Sequence, residues 1–143
     1  MQLNETRAVI TGGASGLGLA VARRIAAAGG KVTLLDVNEA QGSAAAASLG
    51  EAAAFIAADV TDEPAVNSAV DRARERMGSV NAAVNCAGVA TPARLVGRQG
   101  PMAGAFFRKI IEINLVGTVL IAKAAAAATP SWRTRTYWIG FEA

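Results

Sequence analysis

The chain has 143 residues, 52% of them hydrophobic and 17% charged, with fourteen Lys and Arg against eleven Asp and Glu and a formal net charge of +3. That length supports one domain with its own core, and that composition excludes an intrinsically disordered chain. Histidine is absent and Cys86 is the single cysteine, which excludes histidine-held zinc, a Ser-His-Asp triad and an internal disulfide, and fits a reducing, cytoplasmic setting.

The basic residues are scattered and do not alternate with aromatics, so they read as solvated helix faces, and no nucleic-acid partner is expected. No apolar stretch reaches membrane-span length without a charge or turn signal. The opening Met1-Gln2-Leu3-Asn4-Glu5 does not resemble a signal peptide. No membrane partner is expected.

Residues 7–11 are a short apolar run that reads as a strand. Thr11-Gly12-Gly13-Ala14-Ser15-Gly16-Leu17-Gly18 follows and opens a helix over 17–28, with Val21 and Ile25 one turn apart on its apolar face and Gly29-Gly30 ending it. Strand, glycine turn and helix is how an open α/β sheet holds a pyrophosphate: free N–H groups and the positive end of the helix dipole face the phosphates. Gly12, Gly16 and Gly18 allow a tight turn and a close ligand approach. Their Gly-x-x-x-Gly-x-Gly spacing differs from the commoner Gly-x-Gly-x-x-Gly fingerprint.

A second strand covers 31–35 and closes on Asp36. An acid at that point accepts from the adenosine ribose hydroxyls of a dinucleotide and repels the extra phosphate of NADP. Ala14, Ser15 and Val37, the positions open to a compensating cation, carry none, so NAD is favoured. As a helix cap Asp36 is the weaker candidate, since Asn38 is nearer. A helix over 39–49 ends at Gly50, and a third strand covers 52–57. Asp59-Val60 then offers an acid for the adenine amino group and an apolar neighbour for the ring; taken alone, Asp59 is a turn residue. Asp62-Glu63-Pro64 starts a helix that runs to about Met77, with Val66, Ala69, Val70 and Ala73 on its apolar face.

The fourth strand, 82–85, leads into Asn85-Cys86-Ala87-Gly88, small residues that leave room at the carboxyl edge of the sheet. Asn85 has the groups to tie neighbouring strands, and Cys86 reads as a small inert thiol. A loop rich in proline and glycine spans 89–104. A long helix covers roughly 102–127 before Thr129-Pro130 breaks it. Asn114 sits inside its apolar run, where a buried amide needs partners; it serves either as a bond to neighbouring backbone or as a water-holding site residue. Gly117 allows another element to approach closely. The alanine runs 44–47 and 124–128 read as closely packed helix.

Alternating strands and helices of these lengths predict an α/β fold, a Rossmann-like doubly wound parallel sheet. These motifs together resemble the short-chain dehydrogenase/reductase family over about residues 3–127. The resemblance implies that Gly12, Ser15, Gly16, Leu17 and Gly18 form the cofactor turn, that Asp36, Asp59 and Val60 hold the adenosine, and that Asn85, Ala87 and Gly88 complete the cofactor site. It makes Asn114 the helix asparagine of the catalytic tetrad and NAD the cofactor. The stretch from Arg94 through Asn114-Leu115-Val116-Gly117-Thr118 is similar to the type-2 3-hydroxyacyl-CoA dehydrogenase branch, which implies oxidation of a 3-hydroxyacyl thioester.

The family pattern then breaks. It calls for a catalytic serine after the next strand and a Tyr-x-x-x-Lys pair on the following helix. Tyr137 is the one tyrosine, and Phe141 rather than lysine follows it. Ser131 lies close before it in a proline-broken segment. Neither is assigned a catalytic role. The sequence therefore divides into a dinucleotide-binding region, 1–128, and an atypical tail, 129–143, which holds both tryptophans and looks like the product of a truncated or frame-shifted gene. The sheet is expected to be incomplete on its C-terminal side, with 137–141 available as an edge strand of unspecified register. The readings that follow are an NAD-dependent oxidoreductase with an incomplete catalytic half, a non-catalytic dinucleotide-binding fragment, or a protein-interaction module. A small-molecule substrate is expected if a complete site is assembled. The open edge at 82–85 and the apolar Phe106, Ile110, Ile113, Leu120 and Ile121 predict a homo-oligomer or an aggregation-prone chain.

Overall fold

A computed structural model describes residues 2–90, 92–98 and 100–129, with the backbone of 138–140. The strands that carry the site are β1 (Arg7–Thr11), β2 (Lys31–Asp36), β3 (Ala53–Ala57) and β4 (Ala82–Asn85). The helices between them are α1 (Gly16–Ala27), α2 (Glu39–Leu49) and α3 (Glu63–Met77). Short 3-10 turns at Leu3–Glu5 and Gly50–Ala52 precede β1 and β3; the second of them takes Ala52 out of the expected third strand. Past β4 come a small antiparallel pair, β5 (Val96–Gly97) with β6 (Gly100–Pro101), then α4 (Gly104–Ile111), a π-helical segment (Glu112–Val116), α5 (Gly117–Ala128) and β7 (Trp138–Gly140).

The five-stranded sheet has the order β3-β2-β1-β4-β7, and its pairings are parallel throughout. Successive side chains along a strand point to opposite faces, and both faces are covered. Ala8, Ile10, Val32, Leu34 and Val84 pack with Ala22 and Ile25 of α1 and Ala45 of α2. Val9, Leu35, Ile56 and Ala83 pack with Val66, Val70 and Met77 of α3 and Ile121 and Ala125 of α5. The sheet is thus doubly wound as expected, which is why its strands read as continuous apolar runs.

Local signals set the helix ends. Asn38 caps α2 by accepting from the Gln41 N–H at 3.0 Å. Asp62 caps α3 by accepting from the Ala65 N–H at 3.1 Å, with Pro64 in the first turn. Gly78, at φ 81, ends α3 in the left-handed region that glycine occupies without penalty.

The expected long helix is a rod from Gly104 to Ala128 interrupted by the π segment. By length and composition the rod is apolar enough to cross a membrane. Its α5 part lies on α3 and β4. An apolar patch does remain on the rod, made by other residues than the five named from the sequence. Ile121 is fully buried, and Phe106, Ile110, Ile113 and Leu120 are half-buried. Exposure falls on Phe107, Ile111, Leu115 and Val119. The fourth strand's edge is not open either: β7 pairs with it in the register Ala83↔Trp138, Val84↔Ile139, Asn85↔Gly140.

Candidate functional site

Chain direction reverses across the sheet between β1 and β4: the chain winds outward from β1 to β2 and β3, then returns to lay β4 on the other side of β1. That makes the carboxyl ends of β1 and β4 a topological switch point, the place where open α/β sheets take ligands. A cleft of about 520 Å³ occupies this point.

The glycine turn forms one wall. Gly12 and Gly16 adopt φ 61 and 50, values that favour glycine. Space adds a second constraint. A Cβ on Gly12 would lie 2.7 Å from the Cys86 carbonyl oxygen, and one on Gly18 would lie 2.3 Å from the Gly12 carbonyl oxygen. The turn is thus folded onto its own helix and onto the β4 loop. At Gly16 a Cβ would meet nothing within 4 Å, so this backbone faces open cleft. Ser15 stands at the N-cap of α1 without a side-chain capping bond. The first N–H groups of α1 are left for an anion. A cradle of this shape fits a pyrophosphate.

Asp36 has a further job that the sequence did not reveal. Its Oδ2 accepts from the Ala14 N–H and its Oδ1 from the Asn38 N–H, both at 3.1 Å. The carboxylate therefore pins the glycine turn to the end of β2. It also lines the cleft. A carboxylate offers about four acceptor positions, so two stay free for ribose hydroxyls. Asp59 holds its turn and also lines the cleft: its Oδ1 accepts from the Thr61 N–H at 2.9 Å and the Thr61 hydroxyl at 2.8 Å. Val60 is buried and fills the space against Gly117, where a Cβ would come 2.6 Å from the Val60 Cγ2. The close approach expected at Gly117 is made by this valine.

On the β4 side, Cys86, Ala87 and Gly88 line the cleft and Asn85 does not. Among the described residues a side-chain tie between β1 and the β4 loop comes from Thr11, whose hydroxyl oxygen accepts from the Cys86 and Ala87 N–H groups at 3.1 and 3.0 Å. Thr11 lies under both amides, and a hydroxyl oxygen with two lone pairs serves them together. Burial raises the Cys86 thiol pKa, which keeps it a neutral, sluggish thiol.

Asn114 lies in the π segment, exposed rather than buried. Its Oδ1 accepts from the Val89 N–H at 2.8 Å and its Nδ2 donates to the Val89 carbonyl at 2.9 Å. The amide thus clamps one residue's backbone from both sides, at the exit of the β4 loop. Gly88 is small for the same reason: a Cβ there would press on Asn114 Oδ1 at 3.3 Å. The Thr118 hydroxyl donates to the Asn114 carbonyl at 2.7 Å.

The cleft therefore gathers Gly12, Ser15, Gly16, Leu17, Gly18, Asp36, Asp59, Val60, Ala87 and Gly88 into one lining. Sequence reasoning missed Thr11, though it heads the glycine motif. It also missed Lys109 and Ile113 of the α4 rod, which complete the lining beside Asp59. Ser131 and Tyr137 lie outside the described residues.

The short chain dehydrogenase family profile matches residues 6–133. Over 121 residues the chain is 42% identical to 3-hydroxyacyl-CoA dehydrogenase type-2 of Bos taurus, a match covering 83% of this chain and 46% of that protein. The protein of the same name from Homo sapiens is 40% identical over the same shares. Momilactone A synthase of Oryza sativa subsp. japonica is 38% identical over 83% of this chain and 43% of its own length. The chain spans about half the length of the curated relatives it matches.

Proposed function

Because the chain belongs to the short chain dehydrogenase family, we propose that its cleft binds NAD in preference to NADP, in the service of an oxidoreductase acting on a hydroxyl/carbonyl pair. The substrate class proposed is a 3-hydroxyacyl-CoA, on the strength of the relatives that carry that name. The observation that carries the cofactor reading is Asp36. Its carboxylate sits on the cleft wall, held by two backbone N–H groups, with acceptor capacity left over. Ribose hydroxyls complete that shell, whereas a 2′-phosphate brings negative charge against it. The glycine turn and the N-terminus of α1 would hold the pyrophosphate, Asp59 and Val60 the adenine, and Ala87 and Gly88 the nicotinamide half. When bound, NAD supplies a ring that accepts hydride.

Proton transfer is a separate requirement. General acid/base catalysis contributes roughly 10²–10⁴-fold, and these 143 residues hold no Tyr-x-x-x-Lys pair. Asn114 is the one tetrad position filled, and it is engaged with Val89. The chain by itself is therefore proposed to bind cofactor and to turn over negligibly. Calorimetric titration with NAD and NADP, beside an assay with NAD and 3-hydroxyacyl-CoA at mildly alkaline pH, tests both parts. Equal affinities for the two cofactors overturn the Asp36 argument, and robust turnover overturns the argument from proton transfer.

We also propose self-association through the rod. Phe107, Ile111, Leu115 and Val119 recur every fourth residue and are exposed, an apolar stripe that a second copy would cover. Light scattering across a dilution series checks it: Leu115→Glu is expected to shift the population toward monomer, and a wild-type monomer at micromolar concentration would refute it.

A further inference from the structure

We infer that Gly117 is a positioning residue for the dinucleotide cleft: by lacking a side chain it lets the rod seat Val60, and with it the β3–α3 loop, at the depth the adenosine half requires. The inference rests on the dinucleotide reading above and adds to it a residue outside the cleft lining.

Gly117 is buried at the start of α5, against that loop. A Cβ placed on it would lie 2.6 Å from the Val60 Cγ2, 3.0 Å from the Val60 Cβ and 3.3 Å from the Val60 carbonyl oxygen. Carbon atoms in contact settle at about 3.5–4.0 Å. Turning the Val60 side chain would clear only the first of these contacts. The Cβ and the carbonyl oxygen are fixed to the backbone, so the loop or the rod has to yield by roughly 0.5 Å or more. The rod is the firmer of the two. Four residues on, Ile121 is fully buried in the core. Three residues before, Asn114 holds the Val89 backbone by two hydrogen bonds, and farther along Lys123 pairs with Glu63 of α3. In the loop, the Thr61 N–H and hydroxyl and the Asp62 N–H all bond back to Asp59, so Val60 and its neighbours shift as a unit.

One turn of the rod thus sets two loops at once. Gly117 sets the place of Val60 and Asn114 that of Val89, and both valines line the cleft. The glycine turn is held independently of the rod, by Asp36 through the Ala14 N–H and by the Leu35 carbonyl through the Gly13 N–H. A methyl added at 117 therefore displaces Val60 and the adjoining Asp59 relative to the glycine turn. The adenosine end of the cleft changes shape while the pyrophosphate cradle keeps its own.

The test is calorimetric titration of the full chain, of Gly117→Ala, of Val60→Ala and of the double variant with ADP, NAD and inorganic pyrophosphate. Gly117→Ala is expected to lose about tenfold in ADP affinity, the scale of one displaced polar contact, and to hold pyrophosphate within about twofold. In the Val60→Ala background the deepest overlap is gone, and the same substitution is expected to cost about threefold or less in ADP affinity. Alanine's better helix propensity offsets part of the overpacking, so Gly117→Ala is expected to keep a cooperative melting transition. Should it lose that transition, the double variant decides: ADP affinity within about threefold of Val60→Ala upholds the inference. Equal ADP affinity in wild type and Gly117→Ala overturns the inference while leaving dinucleotide binding intact. An equal loss for ADP and pyrophosphate overturns it as general damage to the cleft. A loss of about tenfold or more in the Val60→Ala background also overturns it, because the methyl would then act without Val60. Failure of wild type to bind either ADP or NAD overturns the dinucleotide reading, and this inference with it.

Discussion

Replacing Asn114 by alanine removes both hydrogen bonds that hold the Val89 backbone. Each neutral hydrogen bond contributes about 0.5–1.5 kcal/mol net, so the pair is worth about 1–3 kcal/mol. Asn114 and Val89 are both exposed, and water replaces part of the loss, which brings the expected cost to about 1–2 kcal/mol. That cost falls on local opening of the segment after β4 rather than on the sheet core. Amide exchange at Val89 is therefore expected to accelerate about 5- to 30-fold, while amides in β1 and β2 change little. Asn114→Asp is sharper. It keeps an acceptor for the Val89 N–H but turns a charged oxygen toward the Val89 carbonyl, so at neutral pH it is expected to exchange faster than the alanine variant. Lowering the pH until the new carboxyl protonates restores a donor and narrows the difference. Hydrogen exchange read by NMR at single residues checks both variants. Unchanged exchange at Val89 in Asn114→Ala would show that the loop is held by something other than this clamp.

Asp36→Ala is expected to narrow the preference for NAD over NADP by roughly tenfold or more, since each hydrogen bond to a charged acceptor is worth about 1.5–3 kcal/mol; calorimetry with both cofactors checks it, and an unchanged ratio refutes it. Part of that variant's loss is mechanical, because the Ala14 N–H is released as well, so a lowered melting temperature is expected alongside. Gly18→Ala forces a Cβ to 2.3 Å from a backbone oxygen; overpacking costs about 1–3 kcal/mol and better helix propensity returns nearly 1, so denaturant titration should show a small net destabilisation with cofactor binding lost as the turn opens. Burial raises the Cys86 pKa, so its alkylation at pH 7 is expected to be slower than in the denatured chain, to quicken as the pH rises toward alkaline values, and to slow further with NAD. Labelling at the denatured rate would place the thiol in solvent.

The sheet was legible because its signals are local. β1 and β4 carry uninterrupted apolar runs between turn residues, and Asn38, Asp62 and Gly78 mark helix ends by chemistry that works over three or four residues. The glycine turn was legible for the same reason. What escaped depended on partners far away in the chain. Thr11 is an ordinary strand residue until β4 brings two amides onto its hydroxyl. Lys109 is an ordinary helix cation until the rod is laid across the cleft beside Asp59. The β5–β6 pair has strands too short to show alternation. The register of β7 is a choice among partners that a three-residue segment does not make alone. Which apolar residues of the rod stay exposed is not legible locally either, because the π segment changes which of them share a side.

That wide turn has a consequence for how the chain tolerates change. A uniform α-helix advances about 100° per residue, so the two ends of a 25-residue rod would be locked in rotational phase. The segment Glu112–Val116 accommodates one surplus residue and works as a phase shifter. Upstream, the rod is timed so that Lys109 and Ile113 meet the cleft; downstream, it is timed so that Ile121 and Ala125 meet the core. Deleting one residue inside the segment would restore a uniform helix with both ends at their present bearings, whereas deleting one in the α-helical turns on either side would rotate one end by about 100° against the other. Single-residue length changes in Gly104–Ile111 or Gly117–Ala128 are thus a more severe perturbation than a deletion within Glu112–Val116.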